Sequence, residues 1–319
     1  MNQTYKPTTQ LSTDMKAIAI VGPTACGKTR RAVEAATAFD GEIISCDSRQ
    51  VYTGMDIGTG KDIEEYGNIP YHLIDVCKAG ERYNLFRFLG EAHNALDDII
   101  ARGKRPIICG GSGMYIENLL SGITLPDVPC NQPLRNKLEQ LPLEELKRIL
   151  GSYKQLHNDT DTDNPRRAIR AIEIEEWFVN HPEDAAAADK SSVNPIDALI
   201  IGVDISREDR RNRISQRLKQ RLDEGMINEA KRLLAEGVDH DTLQYYGLEY
   251  KYMSLHIQGV ITYREMYEQL ETAIHQFAKR QMTWLRGMER RGFKIHWLPF
   301  DMPTDKFIST ISEQLYALK

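Results

Sequence analysis

The eight residues Gly22-Pro23-Thr24-Ala25-Cys26-Gly27-Lys28-Thr29 fill every fixed position of the pattern G-x-x-x-x-G-K-[ST]. A turn of this kind grips phosphate. Its glycines let the backbone curl until several N–H groups and the start of the following helix point at phosphate oxygens, with no side-chain charge required. Lys28 adds a mobile cation, and the Thr29 hydroxyl is a hard oxygen donor suited to Mg²⁺ beside bound phosphates. The apolar run Ala17–Val21 before the turn and the helix-compatible run Arg30–Ala38 after it favour a built site over a chance match. The pattern does not distinguish a phosphate that is hydrolysed, one that is transferred, and one that departs as a leaving group.

Other chemistry-bearing residues follow further strand-like runs. Asp47-Ser48-Arg49-Gln50 comes directly after Glu42–Ser45, so a strand end delivers a carboxylate toward the phosphate turn. That carboxylate could hold Mg²⁺ through water, act as a general base, or simply cap the next turn. Gly54, Gly58 and Gly60 give the segment Gly54–Lys61 a backbone able to approach a ligand closely, or a flexible surface loop. Gly110-Gly111-Ser112-Gly113 offers either N–H groups for a second polar ligand or a tight turn.

Three basic clusters lie downstream. Arg166, Arg167 and Arg170 open one helical pattern. Arg210, Arg213, Arg217 and Arg221 form a stripe along another, where Glu208, Asp209, Asp223 and Glu224 also fit a solvated face. Lys279, Arg280, Arg286, Arg290, Arg291 and Lys294 surround Trp284 with only Glu289 against them. Guanidinium groups beside an aromatic ring suit phosphate pairing and base stacking on single-stranded or looped RNA.

The elements that must position these groups alternate. Strand candidates at Ala17–Val21, Glu42–Ser45, Tyr71–Asp75, Pro106–Cys109 and Ala198–Val203 are separated by helical patterns at Thr29–Phe39, Leu85–Ala101 and Gly113–Leu120. This predicts β-α-β units on a parallel sheet, with ligands gathered at the strand ends. From Leu125 to Asn194 prolines recur and no strand candidate appears; two helical patterns, Pro133–Leu150 and Asn164–Asn180, precede the polar, Ala-rich stretch Asp184–Ser192, read as a flexible linker. The expected fold class is α/β: a P-loop NTPase-like parallel sheet core with helices on both faces and an inserted all-helical domain. Residues 1–14 read as a tail, 15–125 and 197–319 as the core, and 126–196 as the insertion. Helices are predicted at Glu208–Leu234, Tyr263–Arg290 and Lys306–Ala317.

A chain of 319 residues with net charge −5 has room for a sizeable core and shows no global bias toward nucleic acid, so local clustering decides. No apolar run approaches the roughly 20 residues that span a bilayer, which predicts a cytoplasmic protein. Five scattered cysteines without C-x-x-C spacing argue against a zinc site or a disulfide framework. A monomer is the default expectation.

Taken in order, Gly22–Thr29, Asp47-Ser48-Arg49-Gln50, Gly54–Lys61, His72-Leu73-Ile74-Asp75, Gly110–Gly113, Asn164-Pro165-Arg166-Arg167 and Lys279-Arg280-Gln281-Met282-Thr283-Trp284-Leu285-Arg286 resemble the bacterial tRNA isopentenyltransferase family. The resemblance runs from about Lys16 to Trp297. It implies transfer of a dimethylallyl group from its diphosphate to N6 of adenosine 37 in tRNAs that read codons starting with U. By that resemblance the phosphate turn holds the departing diphosphate rather than ATP. Thr24, Lys28, the turn amides and Mg²⁺ near Thr29 would stabilise its charge, Arg217 would clamp it, and Asp47 would take the N6 proton. Asp47, Ser48, Arg49 and Gln50 would meet the flipped adenine. Ser112, Arg135, Arg166, Arg167, Arg170, Lys279, Arg280 and Gln281 would contact tRNA, with the Lys279–Arg286 helix also fit to support the core.

The chain departs from the family pattern at Cys26, at Ser112 and through Gln244-Tyr245-Tyr246-Gly247-Leu248-Glu249-Tyr250. The zinc-finger tail of eukaryotic relatives is not expected, since no cysteine follows Cys130. The competing readings are an adenylate isopentenyltransferase acting on free AMP, ADP or ATP, a small-metabolite kinase with an ATP-binding loop, and a non-catalytic nucleotide-dependent RNA-binding module.

Overall fold

The computed structural model describes residues 16–155, 162–185 and 194–317. The expected tail at 1–14 and most of the expected linker at 184–192 lie outside the described residues. Among those described, 16–123 with 194–317 form one compact unit and 124–185 a second.

The strands of the first unit are β1 (Ala17–Val21), β2 (Gly41–Cys46), β3 (Tyr52–Thr53), β4 (Tyr71–His72), β5 (Cys77–Lys78), β6 (Arg105–Gly110), β7 (Ala198–Asp204) and β8 (Ile295–Pro299). Six form one sheet in the order β4-β2-β6-β1-β7-β8, every neighbouring pair parallel. A parallel sheet is covered on both faces, and the alternation along each strand shows how. Ala17, Ala19, Val21, Ile44, Cys46, Ile108 and Ile200 face one core. Ile18, Ile20, Ile43, Ile107, Cys109, Leu199 and Ile201 face the other.

Helices fill the two faces by spacing. In α1 (Lys28–Ala38) Ala32, Ala35 and Ala36 pack onto the second core, joined there by Phe307 and Ile311 of the C-terminal helix. In α2 (Leu85–Ala101) Phe88, Leu89, Ala92, Leu96 and Ile99 pack onto the first core, and the Asn84 side chain caps the helix by accepting from the Arg87 N–H. α3 (Gly113–Leu120) adds Tyr115, Ile116 and Leu119 to the same core.

In the second unit α4 (Gln132–Leu138), α5 (Leu143–Tyr153) and α6 (Pro165–Asn180) close around Leu138, Leu146, Leu150, Ala168, Ile169 and Ile172. Back in the first unit follow α7 (Arg207–Asp223), α8 (Met226–Ala235), α9 (His240–Tyr245), α10 (Leu248–Ile257), α11 (Tyr263–Arg290) and α12 (Thr304–Ala317). A Thr262–Glu265 capping box opens the long helix α11. No helix among the described residues is long and apolar enough to cross a membrane.

Several expected boundaries change for local reasons. Tyr71–Asp75 shortens to β4 because Leu73 and Asp75 take positive φ (64° and 58°) and leave extended geometry. Pro133–Leu150 becomes α4 and α5, since Pro142 lacks the N–H that would continue the first helix and instead caps the second. Glu208–Leu234 becomes α7 and α8, split at Gly225 (φ 98°). The edge strand β8 was not expected.

One buried carboxylate organises the second unit. Glu173, its side chain 1% exposed, accepts from Arg135 (2.9 and 2.7 Å), from the Asn131 N–H (2.6 Å) and from Arg170. Burial by itself would push its carboxyl up, but the two guanidiniums and the N–H outweigh that and hold it below the usual carboxylate range. A carboxyl lowered by folding stabilises the fold above its unfolded value, and the gain disappears as pH falls through the folded one. Glu173→Gln is therefore expected to cost on the order of 3 kcal/mol at neutral pH. The gap to wild type should close below about pH 4, read from denaturation curves and from hydrogen exchange in α6.

Candidate active site

Because every strand of the main sheet runs the same way, the segments after β1, β2 and β6 leave at one edge. After β1 the chain turns through Ala25 (φ 62°) and Gly27 (φ 87°) before α1 begins at Lys28. Gly22 has no room for a side chain: a Cβ there would stand 2.7 Å from Cys26 Sγ. The Cys26 thiol is buried, and burial raises its pKa, so it serves as packing. Lys28 Nζ folds back onto the Pro23 carbonyl at 2.8 Å, which closes the turn. No acidic residue occupies the first turn of α1, so the positive end of the helix stays uncompensated by its own side chains.

After β2, Asp47 Oδ1 accepts from the Arg49 N–H at 2.9 Å. The carboxylate thus caps its own turn, as one reading of the sequence had it, and it also lines the cavity. Two further bonds fix this segment. The Ser48 N–H donates to Ser112 Oγ at 3.0 Å, and Gln50 accepts from the Ser45 hydroxyl (3.1 Å) while donating to the Gly60 carbonyl (3.0 Å). The turn after β6 is fastened to the turn after β1 by Gln281 of α11. Its Oε1 accepts from the Thr24 N–H (2.8 Å) and its Nε2 donates to the Gly111 carbonyl (2.9 Å).

The glycine-rich segment 54–60 wraps around groups from α7, α8 and α10. Glu229, buried on α8, accepts from the N–H groups of Asp56 (2.8 Å), Ile57 (2.9 Å) and Gly58 (2.9 Å) and from the Tyr250 hydroxyl (2.6 Å). A Cβ on Gly58 would stand 2.7 Å from that tyrosine ring, and one on Gly60 (φ 62°) would collide with the Arg221 guanidinium. Lys61, 1% exposed, donates to the Tyr52 carbonyl (2.7 Å), to Asp56 (2.6 Å) and to Asp75. Asp62 ion-pairs with Arg217 and, at 3.6 Å, with Arg221.

These segments enclose a cavity of about 1050 Å³. Lys28, Thr29, Arg213, Arg217 and Arg221 lie along its wall, with Asp47, Ser112 and Glu249. Burial and the adjacent Arg221 pull the Arg217 guanidinium down to about 10, still fully charged at neutral pH. Burial raises the Glu249 carboxyl; Arg221 opposes that shift, and Asp47 adds to it. At the mouth Met114, Phe277 and Trp284 are exposed, and Arg280 stands over the Phe277 ring at 5.8 Å. Tyr245 is flanked by Arg49 (5.6 Å) and Arg82 (5.8 Å). Such a chamber can hold an anion against amides and cations and offer a carboxylate to a proton donor. Among the described residues no group of three or more His, Cys, Asp or Glu is arranged to hold a metal.

The structure brings together most of the residues expected from sequence. Thr24, Ala25, Gly27, Lys28, Thr29, Asp47, Ser48, Arg49, Gln50, Ser112, Arg217, Arg280 and Gln281 all line the cavity, while Gly22 and Cys26 support the turn from beneath. Lys279 is exposed on α11. Three expectations are corrected. Gln281 is not a surface contact: it is 8% exposed, and both ends of its amide are spent on the two turns. The α7 stripe is not simply a solvated face, since Arg213, Arg217 and Arg221 line the cavity, Arg213 while still exposed. In the second unit Arg135 and Arg170 spend their guanidiniums on Glu173, whereas Arg166 and Arg167 are exposed, Arg167 with Asp163 beside it.

Glu229, Tyr250, Asp62 and the paired ends of Gln281 were not anticipated. The glycines at 58 and 60 were the only sequence signal that something bulky approaches there. Removal of Glu229 leaves three N–H groups and a hydroxyl without their acceptor. Glu229→Ala should therefore lower global stability by about 3 kcal/mol and raise hydrogen exchange at 56–58 more than in β1 or β6, by mass spectrometry. Equal exchange in the loop and the strands would contradict the clamp.

Comparison with known proteins agrees with this arrangement. The profile described as IPP transferase matches residues 50–288, and that described as Isopentenyl transferase matches 15–66. A relative from Parabacteroides distasonis named tRNA dimethylallyltransferase 1 is 54% identical over 297 residues, covering 92% of this chain and 95% of its own. A crystal structure of the full-length tRNA isopentenylpyrophosphate transferase from Bacillus halodurans superposes with a TM-score of 0.69 at 32% identity, over 95% of this chain and 96% of that one. A eukaryotic dimethylallyltransferase, captured in crystallographic snapshots acting on tRNA, shares the fold with a TM-score of 0.77 at 22% identity, over 96% of this chain and 80% of that one. With the profile spanning most of the chain and more than half the residues shared with a near-full-length relative, this chain belongs to the tRNA dimethylallyltransferase family of prenyl transferases.

Proposed function

We propose that this chain transfers the dimethylallyl group of dimethylallyl diphosphate to N6 of adenosine 37 in tRNAs reading codons that start with U. The observation that carries the reading is one cavity with an amide-and-cation turn at one side and the Asp47 carboxylate at the end of the neighbouring strand but one. Its volume of about 1050 Å³ is at the upper end for a single small ligand, which suits two reactants meeting inside.

The allylic C1–O bond breaks and its electron pair leaves with the diphosphate. Lys28, Arg217 and the amides at the start of α1 stabilise the charge that grows there, which lowers the barrier more than it stabilises the bound substrate. The N6 lone pair of the adenine forms the new bond to C1, and the N6 proton passes to Asp47. The adenine reaches this point only when turned out of the anticodon stack, at a cost of a few kcal/mol. Phe277, Trp284, Arg280 and Tyr245 at the mouth offer stacking faces and charge to the neighbouring nucleotides. Ser48 bound to Ser112, Gln50 bound to Gly60, and Arg49 beside them form the wall that the base meets. Lys279, Arg166 and Arg167 are the exposed cations suited to RNA phosphates.

The donor set fits Mg²⁺ of a particular kind. Of the oxygen donors that line the cavity, Thr29 and Asp47 would hold the ion, and the rest of its shell would come from diphosphate oxygens and water, as Mg²⁺ favours. When bound it supplies further charge neutralisation of the leaving group.

Incubation with Mg²⁺, labelled dimethylallyl diphosphate and either unmodified tRNA or AMP tests the reading. Label is expected on tRNA alone, without ATP turnover; label on AMP only would contradict the substrate. Asp47→Asn should slow single-turnover transfer by about 10²- to 10⁴-fold while tRNA affinity stays near wild type. Arg166→Ala with Arg167→Ala should weaken tRNA binding and flatten its salt dependence by about two units of slope, since each lost phosphate contact releases one fewer counterion. An unchanged slope would remove both from the interface.

A further inference from the structure

Asp62 occupies an unusual place. It is a non-glycine residue in the left-handed region (φ 47°, ψ 48°) at the end of the 54–60 loop, and it lines the same cavity as Lys28 and Thr29. Its carboxylate pairs with Arg217 and with Arg221 at 3.6 Å. No other carboxylate among the described residues stands within ion-pair distance of either arginine; Glu249 acts on both only through the longer-range field. The side chain of Arg221 is 13% exposed, and Gly60 leaves the space its guanidinium occupies. Two guanidiniums are thus fixed in the wall with one carboxylate between them.

We infer that Asp62 is a positioning counter-ion that holds the Arg217–Arg221 pair until diphosphate takes its place. The inference rests on the reading of this cavity as the diphosphate site. Two adjacent guanidiniums, Arg221 largely withdrawn from water and Arg217 34% exposed, repel each other, and Asp62 is the anion that offsets this. Carboxylate and phosphate present the same geometry to a guanidinium, and a diphosphate offers more oxygens and more charge. Asp62, 35% exposed, has water to turn to when displaced. Its competition weakens the grip on diphosphate, whether as part of the donor or as the product that must leave.

The residue can be changed without disturbing its backbone, because Asn and Gly both accept the left-handed region. Asp62→Asn and Asp62→Gly each remove the charge. Inorganic diphosphate with Mg²⁺ should bind both variants about three- to tenfold more tightly than wild type by calorimetry. The KM for dimethylallyl diphosphate should fall in parallel. An acid that merely supported the structure would, when removed, weaken the site, so the sign separates the two roles. Unchanged or weaker diphosphate binding in either variant overturns the role of Asp62 while leaving the reaction in place. Wild-type protein that binds no diphosphate would overturn the diphosphate reading, and this inference with it.

Discussion

The parallel registration of β2, β6 and β1 is the constraint on which the rest of the molecule depends. Their pairing (Ile43 with Ile107, Ile18 with Ile107, Ser45 with Cys109, Val21 with Gly110) ends all three strands at one level. The turn at Gly22, the carboxylate of Asp47 and the turn at Gly111 therefore emerge side by side. Two apolar cores, one on each face, hold this registration, and slipping a strand by one residue would exchange the faces of Ile18, Ile20, Ile43 and Ile107. The chemistry inherits its geometry from that packing.

What the cores cannot do is fix loops rich in glycine and polar atoms. Here charge and hydrogen bonding take over. Glu229 gathers three N–H groups, Lys61 gathers a carbonyl and two carboxylates, and Gln281 bridges two turns with one amide. Each such group is buried with its partners in place, the condition under which polar side chains specify a single arrangement. The glycines at 58 and 60 are part of the same design, since they admit the Tyr250 ring and the Arg221 guanidinium against the backbone. The 54–60 segment is a fitted wall rather than a free flap.

Much of this could be read from the chain, for identifiable reasons. β1 and β7 are largely apolar runs, β2 and β6 carry the apolar pairs Ile43-Ile44 and Ile107-Ile108, and Leu85–Ala101 carries its apolar residues at helical spacing, so local pattern suffices. Asp47 was legible because it directly follows a strand in a chain whose strands all point one way. β8 was not, because His296 and Pro299 break the apolar run and its pairing partner lies far back in sequence. Gln281 meets Thr24 across 257 residues and Glu229 meets Ile57 across 172, so no local rule reveals either. The arginine stripe of α7 was visible as a periodicity, but its acidic neighbours concealed which side of the helix faces the cavity. Arg170 looked like an RNA contact because its sequence neighbours are basic, while its real partner, Glu173, lies within its own helix.

On the proposed reaction, the turn after β1 would grip the leaving group, with Asp47 at the end of the neighbouring strand but one. The most direct measurement is a crystal structure of the protein with Mg²⁺ and a thiolo analogue of dimethylallyl diphosphate that resists cleavage. The account predicts diphosphate density against Lys28 and the amides that open α1, the Arg217 guanidinium on its oxygens, and C1 directed toward Asp47. Diphosphate bound elsewhere, with the Gly22–Thr29 turn holding none, would contradict it.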